Sequence, residues 1–230
     1  MTRRRVLLLA EAANPELASV PLVGWSHARA LADVCDAHLV TQVRNREAIE
    51  RYGWTHGREF TAIDSERVAR PLHRLRGMLG SRNGKGWTLG TAINALGYPY
   101  FEHLVWKQFG PRLKAGEFDL VHRITPVSPT VPSPIAAKLA RIGVPFILGP
   151  LNGGLPWPPQ FDQARRAERE WLSYVRAGYK LLPGYHATRR HASLIFIASK
   201  ATWEQMPTQY HDKCVYLPEN AIDPERFSLK

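Results

Sequence analysis

The sequence predicts an α/β protein built on a Rossmann-like, doubly wound, mostly parallel sheet. Three observations lead there. Short apolar runs without a charge, such as residues 6–10 (VLLLA) and 194–198 (LIFIA), are what parallel strands buried on both faces require. Helical segments separate such runs along the chain, so successive strands are joined by crossovers and not by hairpins. Residues 117–154 hold one complete unit: a strand at 118–122, a helix at 132–143, a strand at 144–148, and then the loop Gly149-Pro150-Leu151-Asn152-Gly153-Gly154. In that helix Ser133 suits the N-cap, Pro134 the first turn and Gly143 a left-handed C-terminal cap.

Taken in order, residues 6–10 read as the first strand and 11–23 as a long loop containing Pro15 and Pro21; loops of that length are often functional. A helix at 25–34, a strand at 38–43, a short helix at 45–52 ending at Gly53 and an edge-like strand at 59–63 follow. Residues 65–79 form a basic helical segment, and 81–90 (SRNGKGWTLG) a flexible loop. Residues 91–109 have helical spacing with a break expected near Tyr98, where Gly97 and Pro99 interrupt it. A long helix at 162–182 places Trp171, Tyr174 and Leu182 on one face and Arg165, Arg166, Arg169, Arg176 and Lys180 on the other. The strand at 194–198 ends at Ser199, which caps a short helix reaching Met206, and 213–217 is the last strand.

One sizeable core is expected of 230 residues with 44% hydrophobic content. The apolar run at 6–10 is shorter than the roughly 7–15 residues of a signal-peptide core. No stretch approaches the roughly 20 apolar residues of a membrane-spanning helix. Cys35 and Cys214 lie far apart without metal-ligand spacing, which fits a reducing, cytoplasmic setting and signals no metal site. A formal net charge of +11 attracts anionic partners: phosphorylated sugars, acidic lipid headgroups or nucleic acid.

In a sheet of this type ligands gather outside the carboxyl ends of the strands, which selects residues 122–128 and 149–154. The glycine pair Gly153-Gly154 lets backbone N–H groups approach a ligand, beside the amide of Asn152. His122, at the end of its strand, is a candidate to hydrogen-bond a hydroxyl, against the plain reading of a satisfied structural histidine. The basic faces at 65–79 and 162–182 likewise admit two readings, a solvated helix face or a contact with an anionic membrane.

These same residues carry a resemblance. The strand at 118–122, the proline and serine loop after it, the GPLNGG loop, the strand and serine at 193–200 (SLIFIASK) and the passage 215–227 (VYLPENAIDPERF) resemble, in order and spacing, the N-terminal acceptor-binding domain of family-4-type retaining glycosyltransferases of the GT-B fold. The resemblance implies a saccharide or lipid-linked acceptor, with His122 as the catalytic candidate. On the substrate side it implies Gly24, Arg123, Thr125, Asn152, Gly153, Gly154, Ser199, Glu219 and Asn220. It also implies that a nucleotide-sugar donor sits mainly in a second Rossmann-like domain, which would begin where this sequence stops at Lys230, and that no other cofactor is used. The protein then works in the cytoplasm, with its basic faces available to the inner surface of the membrane. No family pattern for specific nucleic-acid binding is present.

The competing class is a basic Rossmann-like binding module for nucleic acid or an acidic surface, without catalysis. Gly24-Trp25-Ser26-His27-Ala28 imitates a nucleophile elbow but does not follow a strand. Neither a dinucleotide fingerprint nor a P-loop occurs.

Overall fold

The computed structural model describes residues 3–66, 86–153 and 183–219, the side chains of 86–96 and 183 apart. Within these residues β1 (Arg5–Ala10), β2 (Asp36–Gln42), β3 (Phe60–Ile63), β4 (Leu120–Thr125), β5 (Phe146–Leu151), β6 (Leu194–Ile197) and β7 (Cys214–Tyr216) form one sheet. Its order is β3-β2-β1-β4-β5-β6-β7, and every neighbouring pair is parallel. The helices are α1 (Val20–Val34), α2 (Arg46–Arg51), α3 (Gly86–Lys114), α4 (Ile135–Arg141), α5 (Pro183–His191) and α6 (Lys200–Gln205). The expected Rossmann-like α/β sheet is therefore present.

Alternation along β1 explains why both faces are covered. Val6, Leu8 and Ala10 pack with Trp25, Ala28, Leu39 and Ile124 on the α1 side. Leu7 and Leu9 pack with Tyr98, Phe101, Val105, Val121, Leu139 and Phe146 on the α3 and α4 side. Leu7, Leu8 and Leu9 are wholly buried, each contributing roughly 2 kcal/mol.

Several elements differ from the sequence expectation. Helix α1 begins at Val20, five positions early, because Pro21 sits in its first turn and not in a loop. Gly24 thus lies inside a helix, where a Cβ would stand 2.1 Å from the Ala12 carbonyl oxygen and 3.1 Å from the Thr125 methyl. The absent side chain lets α1 rest on the backbone after β1. Gly24→Ala is expected to cost about 1–3 kcal/mol, as overpacking does, and a urea titration checks it.

Helix α3 runs unbroken from Gly86 through Pro99 and Pro111. This overturns both the loop expected over its first residues, 86–90, and the break near Tyr98; Tyr98, Phe101, Val105 and Phe109 keep the helix seated on the sheet despite the missing proline donors. Strands β4 and β5 extend beyond 122 and 148, to Thr125 and Leu151. Helix α5 has no counterpart among the elements expected from the sequence.

The N-cap of α4 is Pro134, not Ser133. The Ser133 hydroxyl donates instead to the buried carboxylate of Glu102, whose second oxygen accepts the Ile135 N–H at 2.9 Å. A side chain from α3 therefore closes the open end of α4. Gly143 does adopt the left-handed conformation after it, at φ 72°.

The expectations for 67–79, 81–85, the helix at 162–182, Gly154 and Asn220 lie outside the described residues. Among the described residues no helix is long and apolar enough to cross a membrane.

Candidate functional site

From β1 the chain builds outward to β3 and then returns to β4, so the topological switch lies between β1 and β4. Ligands of doubly wound sheets gather at the strand tips around such a point. Here the tips are stitched together by their own loops. Thr125, fully buried, donates its hydroxyl to the Ala12 carbonyl and accepts the Ala12 N–H, both at 3.1 Å. Arg123 lies beneath and is 1% exposed; it donates to the carbonyls of Val131 at 2.9 Å and Pro126 at 3.1 Å. The Asn152 N–H reaches the Val127 carbonyl at 2.9 Å, joining the loops after β4 and β5.

A polar knot occupies the tips of β5, β6 and β7. Asn152 donates its amide to Glu219 Oε1 at 2.6 Å, and His27 on α1 lies 3.2 Å from the Glu219 carbonyl. A carbonyl only accepts, so His27 Nε2 carries the proton. Burial lowers the His27 pKa, partly offset by this bond. The chain after β7 thus crosses back over the tips to reach α1. Beside it Ser199 caps α6 by accepting the Thr202 N–H, and its hydroxyl donates to Thr202 Oγ1 at 2.9 Å. Thr202 Oγ1 also accepts the Gly153 N–H at 3.3 Å. Glu219 Oε2 is buried and has no hydrogen-bond partner among the described residues.

The structure therefore brings together Asn152, Gly153, Ser199 and Glu219, four of the residues selected from sequence. It removes others from the rim. His122 is interior to β4, 6% exposed, with Nε2 donating to the Gly149 carbonyl at 2.7 Å. Burial pushes its pKa down to about 4, so the ring is neutral; it serves the β4–β5 junction, three residues before the end of the strand. Arg123 and Thr125 hold loops from below, and Gly24 is sealed against Ala12, which places all three beneath the rim. The Gly153 N–H, expected to be bare, is engaged by Thr202, although nothing lies within 4 Å of where its Cβ would be. Asn152 and Gly153 are half-buried.

Glu11 was missed. It follows β1 at the switch point, and its backbone is fixed by three donors to one carbonyl: Thr41 Oγ1 at 3.1 Å, Asn45 Nδ2 at 2.9 Å and the Gln42 N–H at 3.2 Å. Burial pushes its carboxyl up to about 7, opposed by the Arg44 charge. Arg44 itself is bonded to Glu66. A carboxyl poised near neutrality can accept from a ligand hydroxyl or donate to it. The available signal was its place directly after a buried strand.

No family model matches the chain, and no curated protein matches it. Among solved structures it is similar to the glycosyltransferase SsfS6 of Streptomyces sp. SF2575, at 13% identity and a TM-score of 0.46. The match covers 96% of this chain and 55% of that one, so this chain spans little more than half the length of that neighbour.

Proposed function

We propose that this chain is the acceptor-binding part of a retaining glycosyltransferase, passing a sugar from a nucleotide-sugar donor to a saccharide or lipid-linked acceptor. The observation that carries the reading is the knot around Glu219 at the tips of a parallel sheet: Asn152 donates to one carboxylate oxygen, and the other, buried, has no donor among the described residues. A ligand hydroxyl is a donor of the kind such an oxygen lacks, and a sugar offers several side by side. The resemblance of the GPLNGG and VYLPENAIDPERF passages supports the same reading.

In this reading the chain positions and orients. Glu219 and Asn152 grip acceptor hydroxyls, and Thr202 and Ser199 keep the β5 and β6 loops in place. The donor diphosphate is held by a second domain, and the rate gain comes from proximity and from stabilising the leaving group.

The test is titration of the isotope-labelled 230-residue protein with mono- and disaccharides and with UDP- and GDP-sugars, followed by amide chemical shifts. Saccharides are expected to shift Asn152, Gly153 and Thr202 with Kd in the millimolar range or weaker, and Glu219→Gln to weaken that binding on the order of tenfold. No transfer is expected from this chain alone. Shifts elsewhere only, or turnover by the chain alone with donor and acceptor, would reject the assignment.

A further inference from the structure

Helices α3, α4 and α5 lie side by side over one face of the sheet. Apart from Arg112, which pairs with Glu117, their outward cations have no carboxylate partner among the described residues. Lys107, Lys114, Arg141 and Arg190 are exposed and Lys138 half-buried, and among the described residues none of the five is in an ion pair. The cations on the α2 side behave differently: Arg46, Arg51 and Arg58 each pair with a glutamate. The sequence explains the contrast, since no acidic residue occurs between His103 and Ala115 or between Leu120 and Phe161.

Trp106 sits at the α3–α4 seam in the middle of this face. Its indole lies flat over Gly110, 3.3 Å from where a Cβ would stand, and the ammonium groups of Lys114 and Lys138 flank the ring at 6.0 Å and 5.4 Å from its centre. It is half-buried, one side on the core and the other toward solvent.

We infer that this face, with Trp106 flanked by Lys114 and Lys138 and with Lys107 and Arg141 exposed on the same two helices, docks the protein on an anionic lipid surface. The inference is independent of the sugar-transfer reading. Lysine ammonium groups on flexible stems suit a plane of headgroup phosphates, whereas a specific phosphate site favours the fixed fork of arginine. An indole between lysines is the arrangement favoured where apolar and aqueous layers meet.

Co-sedimentation of the whole chain with phosphatidylcholine vesicles, with and without about one-third phosphatidylglycerol, tests this. Binding is expected only to the anionic vesicles. The variant Lys107→Gln/Lys138→Gln/Arg141→Gln is expected to weaken it on the order of a hundredfold, at about fivefold per cation. The variant Arg46→Gln/Arg51→Gln/Arg58→Gln, with the same net charge, is expected to change it less than about threefold. Trp106→Phe is expected to remove a blue-shifted part of the tryptophan emission seen on binding. Equal losses in both triple variants would reduce the effect to net charge and overturn the assignment. So would absence of vesicle binding, or tight binding of arbitrary duplex DNA through these residues with none to vesicles.

Discussion

Glu102→Ala is expected to lower the free energy of unfolding by about 3–5 kcal/mol, the cost of breaking a buried charged constellation by removing one member. Glu102 is 1% exposed and stands between α3 and the start of α4. Its carboxylate takes the Ser133 hydroxyl and the Ile135 N–H, so its loss leaves two buried donors and a cavity. Burial raises its pKa above the usual carboxyl range, opposed only in part by those two donors and the Arg123 charge. Glu102→Gln keeps the volume and one acceptor, and a loss of about 1–2 kcal/mol is expected. Urea unfolding, read as a shifted midpoint at constant m, distinguishes the two. A loss below about 1 kcal/mol for the alanine variant would mean that α4 does not depend on this contact.

Two titratable groups, Glu11 half-buried and His122 buried, should impose opposite pH dependences on stability. The Glu11 carboxyl rises from 4.5 to about 7 on folding, so its contribution is present below pH 4.5 and lost as pH climbs through 7. His122 falls from 6.5 to about 4, so its contribution is present above pH 6.5 and lost as pH drops through 4. Each displacement is worth about 3 kcal/mol at about 1.4 kcal/mol per pH unit. The wild type should therefore show little net slope from this pair between pH 4.5 and 6.5. Relative to it, Glu11→Gln should gain about 3 kcal/mol between pH 4.5 and 7, and His122→Asn should gain about as much between pH 6.5 and 4. Denaturant titrations across that range measure both differences. Variant curves running parallel to the wild type would show that neither group is buried as described.

The sheet was readable in advance because several buried strands announce themselves as uncharged apolar runs, as residues 6–10 of β1, β5 and β6 do. The helix caps were less so. Ser133 has the right side chain at the right spacing, yet its hydroxyl goes to Glu102, thirty-one positions earlier, and no local rule registers a partner that distant. The same holds at the site. Asn152 and Glu219 could be chosen singly from loops after strands, but their bond joins residues sixty-seven apart and depends on the path after β7. His122 was misplaced by a boundary error alone: with β4 ending at Thr125, a rim residue becomes an interior one. Glu11 escaped notice because its importance comes from burial and from strand order, neither of which its neighbours in sequence display.

The described sheet narrows toward both sides, to four residues in β3 and three in β7. Val215, Tyr216 and Leu217 are 42%, 49% and 41% exposed along that last strand, greasy enough to invite a stray chain. So short a margin gives an intruder few backbone partners to zip onto, and the taper is itself a guard against runaway stacking.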